Sequence, residues 1–170
     1  IFVKMIRFFV LAICVIILVE GNMEGFIVGG VYTSIFLYPH SAFMNIVCIK
    51  DNGREQKWIC GASIVNDRIL LTAAHCLSQC TQTSTIKVIV GNENKEDGIA
   101  NGAASYIVHE DYDPRTSFAD IGILKVIWRF KLSSKISRVA LMPRPPYNEV
   151  AAVAGWGLID VSTYYLCFCN

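Results

Sequence analysis

The stretch "CGASIVNDRILLTAAHC", residues 60–76, decides how the rest of the chain is read. Two apolar, β-prone segments, 61–65 and 69–72, flank the turn-forming trio Asn66, Asp67 and Arg68. The stretch ends on His75, which follows two alanines and precedes Cys76; Cys60 opens it. Unperturbed imidazole titrates near pH 6.5, so a histidine can take up and return a proton around neutrality. Taken alone, a histidine after two alanines is more often structural than catalytic. Its role therefore depends on what stands elsewhere in the chain.

Outward from this stretch the sequence reads as short strands divided by turn signals. "SAFMNIVCI" (41–49) is followed by "KDNGRE", whose Asn52-Gly53 pair favours a tight hairpin. "KWICGASIV" (57–65), "ILLT" (69–72) and the near-alternating "TIKVIVG" (85–91) follow. "ASYIVH" (104–109) precedes the turn "EDYDP", and "DIGILKVIW" (120–128) is again strongly apolar. The proline-rich connector "MPRPPY" leads into "VAAVAGWG" (150–157). With no amphipathic helical period, this pattern predicts an antiparallel barrel or sandwich. No internal repeat, low-complexity tract or Asn-x-Ser/Thr sequon interrupts it.

Composition narrows the setting. The 170 residues begin at Ile1 and first reach methionine at Met5, which reads as a fragment or conceptual translation whose start is Met5. From there "MIRFFVLAICVIILVEG" has a basic start at Arg7, an apolar run over 8–19, and small residues suited to cleavage at Val19-x-Gly21. A membrane anchor is the alternative, but this run is short of the roughly 20 residues a bilayer needs. We therefore expect a signal peptide at 1–21, a secreted, extracellular product and no membrane anchor after its removal. Taking Lys4, Arg7 and Glu20 from 15 basic and 14 acidic residues leaves 13 of each. A chain with neither net charge nor a basic cluster argues against nucleic acid as a partner. Outside the signal six cysteines remain, Cys48, Cys60, Cys76, Cys80, Cys167 and Cys169, an even set that reads as disulfide-forming in a secreted chain. A metal site at His75, Cys76 and Cys80 is disfavoured: adjacent side chains do not easily aim at one ion, and no CxxC pair exists. No metal and no cofactor are expected.

Four motifs in order, "IVGG" (27–30), "CGASIVNDRILLTAAHC" (60–76), "DIGILKV" (120–126) and "VAGWG" (153–157), resemble the chymotrypsin-like, trypsin-fold serine endopeptidases. The resemblance implies an all-β fold of two antiparallel barrels with the catalytic groups between them, and hydrolysis of protein or peptide substrates. It implies that His75 is the general base and that Asp120 holds its other N–H, fixing the tautomer and stabilising the imidazolium. Where the family usually has asparagine before this aspartate, this chain has Ala119. The family's histidine-loop disulfide maps onto Cys60 and Cys76, a loop closure worth roughly 3 kcal/mol. In the resembled fold the loop carrying Cys80 runs near the hairpin carrying Cys48, which implies that these two pair; Cys167 and Cys169 have no assigned partners. His40 and His109 gain no support from any motif and read as structural. Processing would expose Ile27 as a new N-terminus, releasing 22–26 as a short propeptide. The residue before the cut is Phe26 rather than a basic residue, which calls for a chymotrypsin-like activating protease. The acidic loop "GNENKEDG", with Glu93, Glu96 and Asp97, reads either as a calcium loop or, better, as a solvated turn.

The nucleophile is the gap. The family places it in a "GDSGG"-type segment, where glycines let backbone N–H groups turn toward the developing oxyanion. The residues after Gly157 read "LIDVSTYYLCFCN", and Ser162 has no glycine on either side. The expected organisation is thus a first barrel over 27–145 and an incomplete second barrel over 146–170, with an atypical tail suggestive of read-through or a premature stop. Such an open barrel would expose unpaired strand edges. The expectation is the N-terminal part of a secreted serine endopeptidase, inactive as written. The alternative is a truncated, non-catalytic homologue that binds through the first barrel. Retention of both His75 and Asp120 favours the first reading, and the Phe26 junction lends something to the second.

Overall fold

The computed structural model describes residues 31–81, 83–144, 147–158 and 164–169. In chain order these form β1 (Val31–Tyr32), β2 (Ser41–Ile49), β3 (Glu55–Ile64), β4 (Ile69–Thr72), the short helix α1 (Ala74–Leu77), β5 (Thr85–Val90), β6 (Ile99–Val108), β7 (Gly122–Val126), β8 (Val153–Leu158) and β9 (Tyr164–Cys169). The fold is nearly all-β. Six strands close into a barrel in the order β2-β3-β4-β7-β6-β5, with every pairing antiparallel.

The barrel closes because alternate residues on its strands are apolar and point inward. Ala42, Met44, Ile46 and Cys48 of β2, Ile86, Val88 and Val90 of β5, and Leu124 and Val126 of β7 are all buried. Phe130 and Ile136, from the segment after β7, complete the same cluster. The β2–β3 hairpin turns at Asn52-Gly53: Gly53 takes φ +76, Lys50 N–H donates to the Arg54 carbonyl at 3.0 Å, and Arg54 N–H donates to Asn52 Oδ1 at 3.0 Å. Left-handed backbone at this point is what glycine supplies without steric cost.

A second, three-stranded sheet has the order β1-β9-β8. Val31 and Tyr32 pair with Phe168 and Cys167, so the first strand of the described chain joins this sheet rather than the barrel. The tail that reads as atypical in sequence is the central strand here, paired with β8 from Val153↔Cys169 to Leu158↔Tyr164. Trp156 fastens the sheet to the barrel. Its Nε1–H donates to the Glu93 carbonyl at 2.7 Å, and its ring meets Phe43 edge-on with centroids 5.8 Å apart. Glu93 also turns its carboxylate inward, accepting from Ser34 Oγ at 2.7 Å and from Ile35 N–H at 3.0 Å. Asp97 accepts from Asn94 Nδ2 at 2.9 Å. The acidic loop is thus held by its own turn contacts and by the segment that follows β1.

Candidate active site

His75 and Asp120 stand 45 residues apart in sequence, and the barrel brings them together. β4 pairs with β7, placing Thr72 opposite Gly122, so the residues just after one strand and just before the other meet at one rim. His75 lies on α1, a single turn directly after β4. The residue before α1, Ala73, offers no side-chain cap. The Asp120 carboxylate fills that role from across the rim: Oδ1 accepts the His75 backbone N–H at 2.8 Å, and Oδ2 meets His75 Nδ1 at 2.8 Å. One carboxylate thus satisfies a helix-start donor and sets the ring's orientation.

Backbone at 117–121 aims this carboxylate. Ser117 and Ala119 adopt φ +56 and +51, and Ile121 N–H closes a tight turn onto the Ala119 carbonyl at 2.7 Å. Left-handed backbone costs an alanine roughly 1–2 kcal/mol and asparagine less, a physical reason for asparagine at that position. The His75 hydrogen bond is the main cause that holds the Asp120 carboxyl below the ordinary carboxylate range, with partial burial opposing it. With Nδ1–H donated to the carboxylate, Nε2 is the nitrogen left for proton transfer. The His75 side chain is 60% exposed while Asp120 is 25% exposed, an accessible base held by a more sheltered acid.

Nε2 faces sulfur. It lies 3.4 Å from Cys76 Sγ, which is bonded to Cys60. Cys60, His75 and Cys76 therefore do converge, although adjacent side chains such as those of His75 and Cys76 do not easily aim at one point. A one-turn helix lets the His75 ring fold back over the disulfide. The sulfurs are joined to each other rather than free as thiolates, so the convergence does not make a metal centre. Trp58 also holds α1, its Nε1–H donating to the Cys76 carbonyl at 3.1 Å. Cys48 is bonded to Cys80, tying the end of β2 to the loop after α1. The Tyr106 hydroxyl donates to the Cys80 carbonyl.

A cleft of about 400 Å³ opens over His75, bounded by Trp58, Ile59, Cys60, Gln79, Tyr112 and Pro114. Tyr112 and Pro114 come from the "EDYDP" turn, whose sequence signals a turn but not its docking against the histidine. A second cleft of about 430 Å³ separates the barrel from β8, with Tyr38, His40, Ser63 and Trp156 on its walls. His40 is drawn below the ordinary imidazole value by burial, and its carbonyl accepts the Ile64 N–H at 2.8 Å. His109 caps its own turn, Nδ1 accepting the Asp111 N–H at 3.1 Å. Neither ring reaches the His75–Asp120 pair. Phe26 and Ile27 lie outside the described residues, as does Ser162.

A closed antiparallel barrel whose rim presents a histidine locked to an aspartate, beside a disulfide that closes the histidine loop, defines the chymotrypsin-like class of serine proteases. The chain belongs to the trypsin family, whose profile matches residues 27–165. It is 36% identical over 138 residues to Trypsin alpha-4 of Lucilia cuprina, covering 80% of this chain and 51% of that protein. It is 32% identical over 139 residues to Trypsin of Sarcophaga bullata, covering 81% and 52%. The solved structure of HL collagenase shares the fold, with a TM-score of 0.71 at 22% identity over 84% of this chain and 61% of that one. The chain spans about half the length of the curated relatives it matches.

Proposed function

We propose that this chain supplies the base and the orienting acid of a secreted serine endopeptidase, a hydrolase that cleaves peptide bonds in protein substrates. The observation that carries the reading is the doubly bonded His75–Asp120 pair at the rim, with His75 bordering the cleft. In this reading His75 removes the proton from a serine hydroxyl as it attacks the scissile carbonyl and returns it to the leaving amine. Asp120 holds the ring and stabilises its cationic form. Ile27, exposed by cleavage after Phe26, provides the mature N-terminus, which calls for an activating protease of chymotrypsin-like preference. Among the described residues no helix is long and apolar enough to cross a membrane.

The nucleophile and oxyanion hole would come from a Gly-Asp-Ser-Gly-Gly segment downstream of 153–157, so the 170-residue chain alone is proposed to be inactive. Sequencing the transcript past the Asn170 codon tests this, and continuation into such a segment is expected. The extended protein should then hydrolyse a fluorogenic peptide, with Asp120→Asn lowering kcat by about 10⁴. An in-frame stop in the mature message, or an extended protein indifferent to Asp120→Asn, would sink the reading.

A further inference from the structure

We infer that the Cys60–Cys76 disulfide is a thiol-exchange site: small thiols attack Cys60, and His75 assists departure of Cys76. This goes beyond the hydrolytic reading and needs no serine. Three observations meet at these sulfurs. Cys60 is only partly buried and borders the cleft over His75, whereas Cys76 is 3% exposed. Of the two residues, Cys60 is therefore the one open to an incoming thiolate from the cleft. The sulfur that must leave, Cys76 Sγ, is the one 3.4 Å from His75 Nε2. Nδ1 of the same ring is committed to Asp120 at 2.8 Å, so Nε2 carries a proton toward sulfur only when the ring is cationic.

The step balances without a further reactant. A thiolate RS⁻ bonds to Cys60 Sγ, the Cys60–Cys76 bond breaks, and the bonding pair leaves on Cys76 Sγ, which takes the Nε2 proton. The products are the mixed disulfide RS–S–Cys60 and a Cys76 thiol, with the ring neutral and reprotonated from water. Exchange is faster when the leaving sulfur is the more stable thiolate, and a neighbouring imidazolium supplies that stabilisation. The second disulfide likewise joins a buried cysteine, Cys48, to a partly buried one, Cys80. It lacks the other two features: Cys80 does not border the cleft over His75, and the ring nitrogen of His75 lies against Cys76 Sγ instead. The titratable or charged groups around the reacting sulfurs are His75 and Asp120 at the rim, Lys50 at the end of β2 and Tyr112 in the turn before β7. Lys50 Nζ is engaged by Gln79 Oε1 at 3.1 Å.

The test treats the folded 170-residue chain with reduced glutathione at about 1 mM, quenches with acid and maps adducts by peptide mass spectrometry. Glutathione is expected on Cys60 and not Cys76, with Cys48–Cys80 intact over the same interval. The rate, normalised to glutathione thiolate, should be higher at about pH 5.5 than at about pH 8.5. His75→Gln and Asp120→Asn, each checked for native circular dichroism, should flatten that profile and slow the acid-side rate at least about fivefold. An adduct on Cys76, equal reactivity of the two disulfides, or a flat profile in the unsubstituted chain would overturn the assignment. The last three readouts need no variant to fold, and none of them depends on peptide hydrolysis.

Discussion

At the scale of single residues, Asp120 holds both a structural and a chemical post. Its two oxygens serve different partners, the His75 backbone N–H and the His75 ring. Asparagine keeps one acceptor but presents an amide N–H₂ to the other partner, which turns Nδ1 from donor to acceptor. Asp120→Asn should therefore cost about 1 kcal/mol in denaturant melts and shift the His75 ¹⁵N resonances to the other tautomer. The pH dependence has a definite sign. Folding holds the Asp120 pKa low, so the native state favours the carboxylate, and its stabilisation is present above the unfolded value near pH 4. It is lost as pH falls through the folded value, so the two proteins' stabilities should converge in acid. Ala119 gives the opposite test. At φ +51 an alanine is strained, and Ala119→Asn should raise stability by up to about 1 kcal/mol while leaving the ring's tautomer alone.

At the scale of elements, Gly122 decides how closely β7 approaches α1. A Cβ there would stand 3.0 Å from Leu77 Cδ1, 3.4 Å from the Ile107 carbonyl and 3.5 Å from the Ala73 carbonyl. Leu77 is fully buried, so it has little room to move. Gly122→Ala should cost about 1–2 kcal/mol by overpacking and push α1 away from Asp120. Calorimetry reads the first effect, and a weakened His75–Asp120 coupling by NMR reads the second; unchanged His75 shifts would refute the link. Elements also differ in how far their sequence announced them. β2 and β4 match their apolar runs residue for residue, since turn residues bound both. β6 begins five residues before its apolar run, at Ile99, where Asn101 looks like loop. Asn101 is instead buried, exchanging hydrogen bonds with the Trp128 backbone. α1 is a single turn and too short to leave a helical period. The residues that site the acid and base were legible only through motif resemblance, because spacing in sequence says nothing about two strand ends 45 residues apart. Tyr112 and Pro114 at the cleft, and β9 as a central strand, depend on long-range docking that local pattern does not encode.

At the scale of the whole molecule, the barrel and the three-stranded sheet differ in how they are held. The barrel has a continuous apolar interior and no free edge, whereas β1 and β8 flank a sheet whose Val31, Tyr32 and Val153 are mostly exposed. Regions with fewer buried contacts open at lower free energy than the core. The junction between the two therefore rests heavily on residues 93 and 156. The hydrogen bond from Ser34 is the main reason the Glu93 carboxyl is held below its ordinary value, so that tie weakens in acid as Glu93 protonates. Trp156 contributes a hydrogen bond to the Glu93 carbonyl and an aromatic contact with Phe43. Trp156→Phe keeps an aromatic ring but removes the donor, leaving a backbone carbonyl unpaired at a cost of about 1 kcal/mol. If the sheet is the less stable unit, that loss should appear locally. Amide exchange in β8 and β9 should speed up about fivefold, while β2, β5 and β7 keep their protection. Uniform acceleration of every strand would mean that barrel and sheet open together as one cooperative unit.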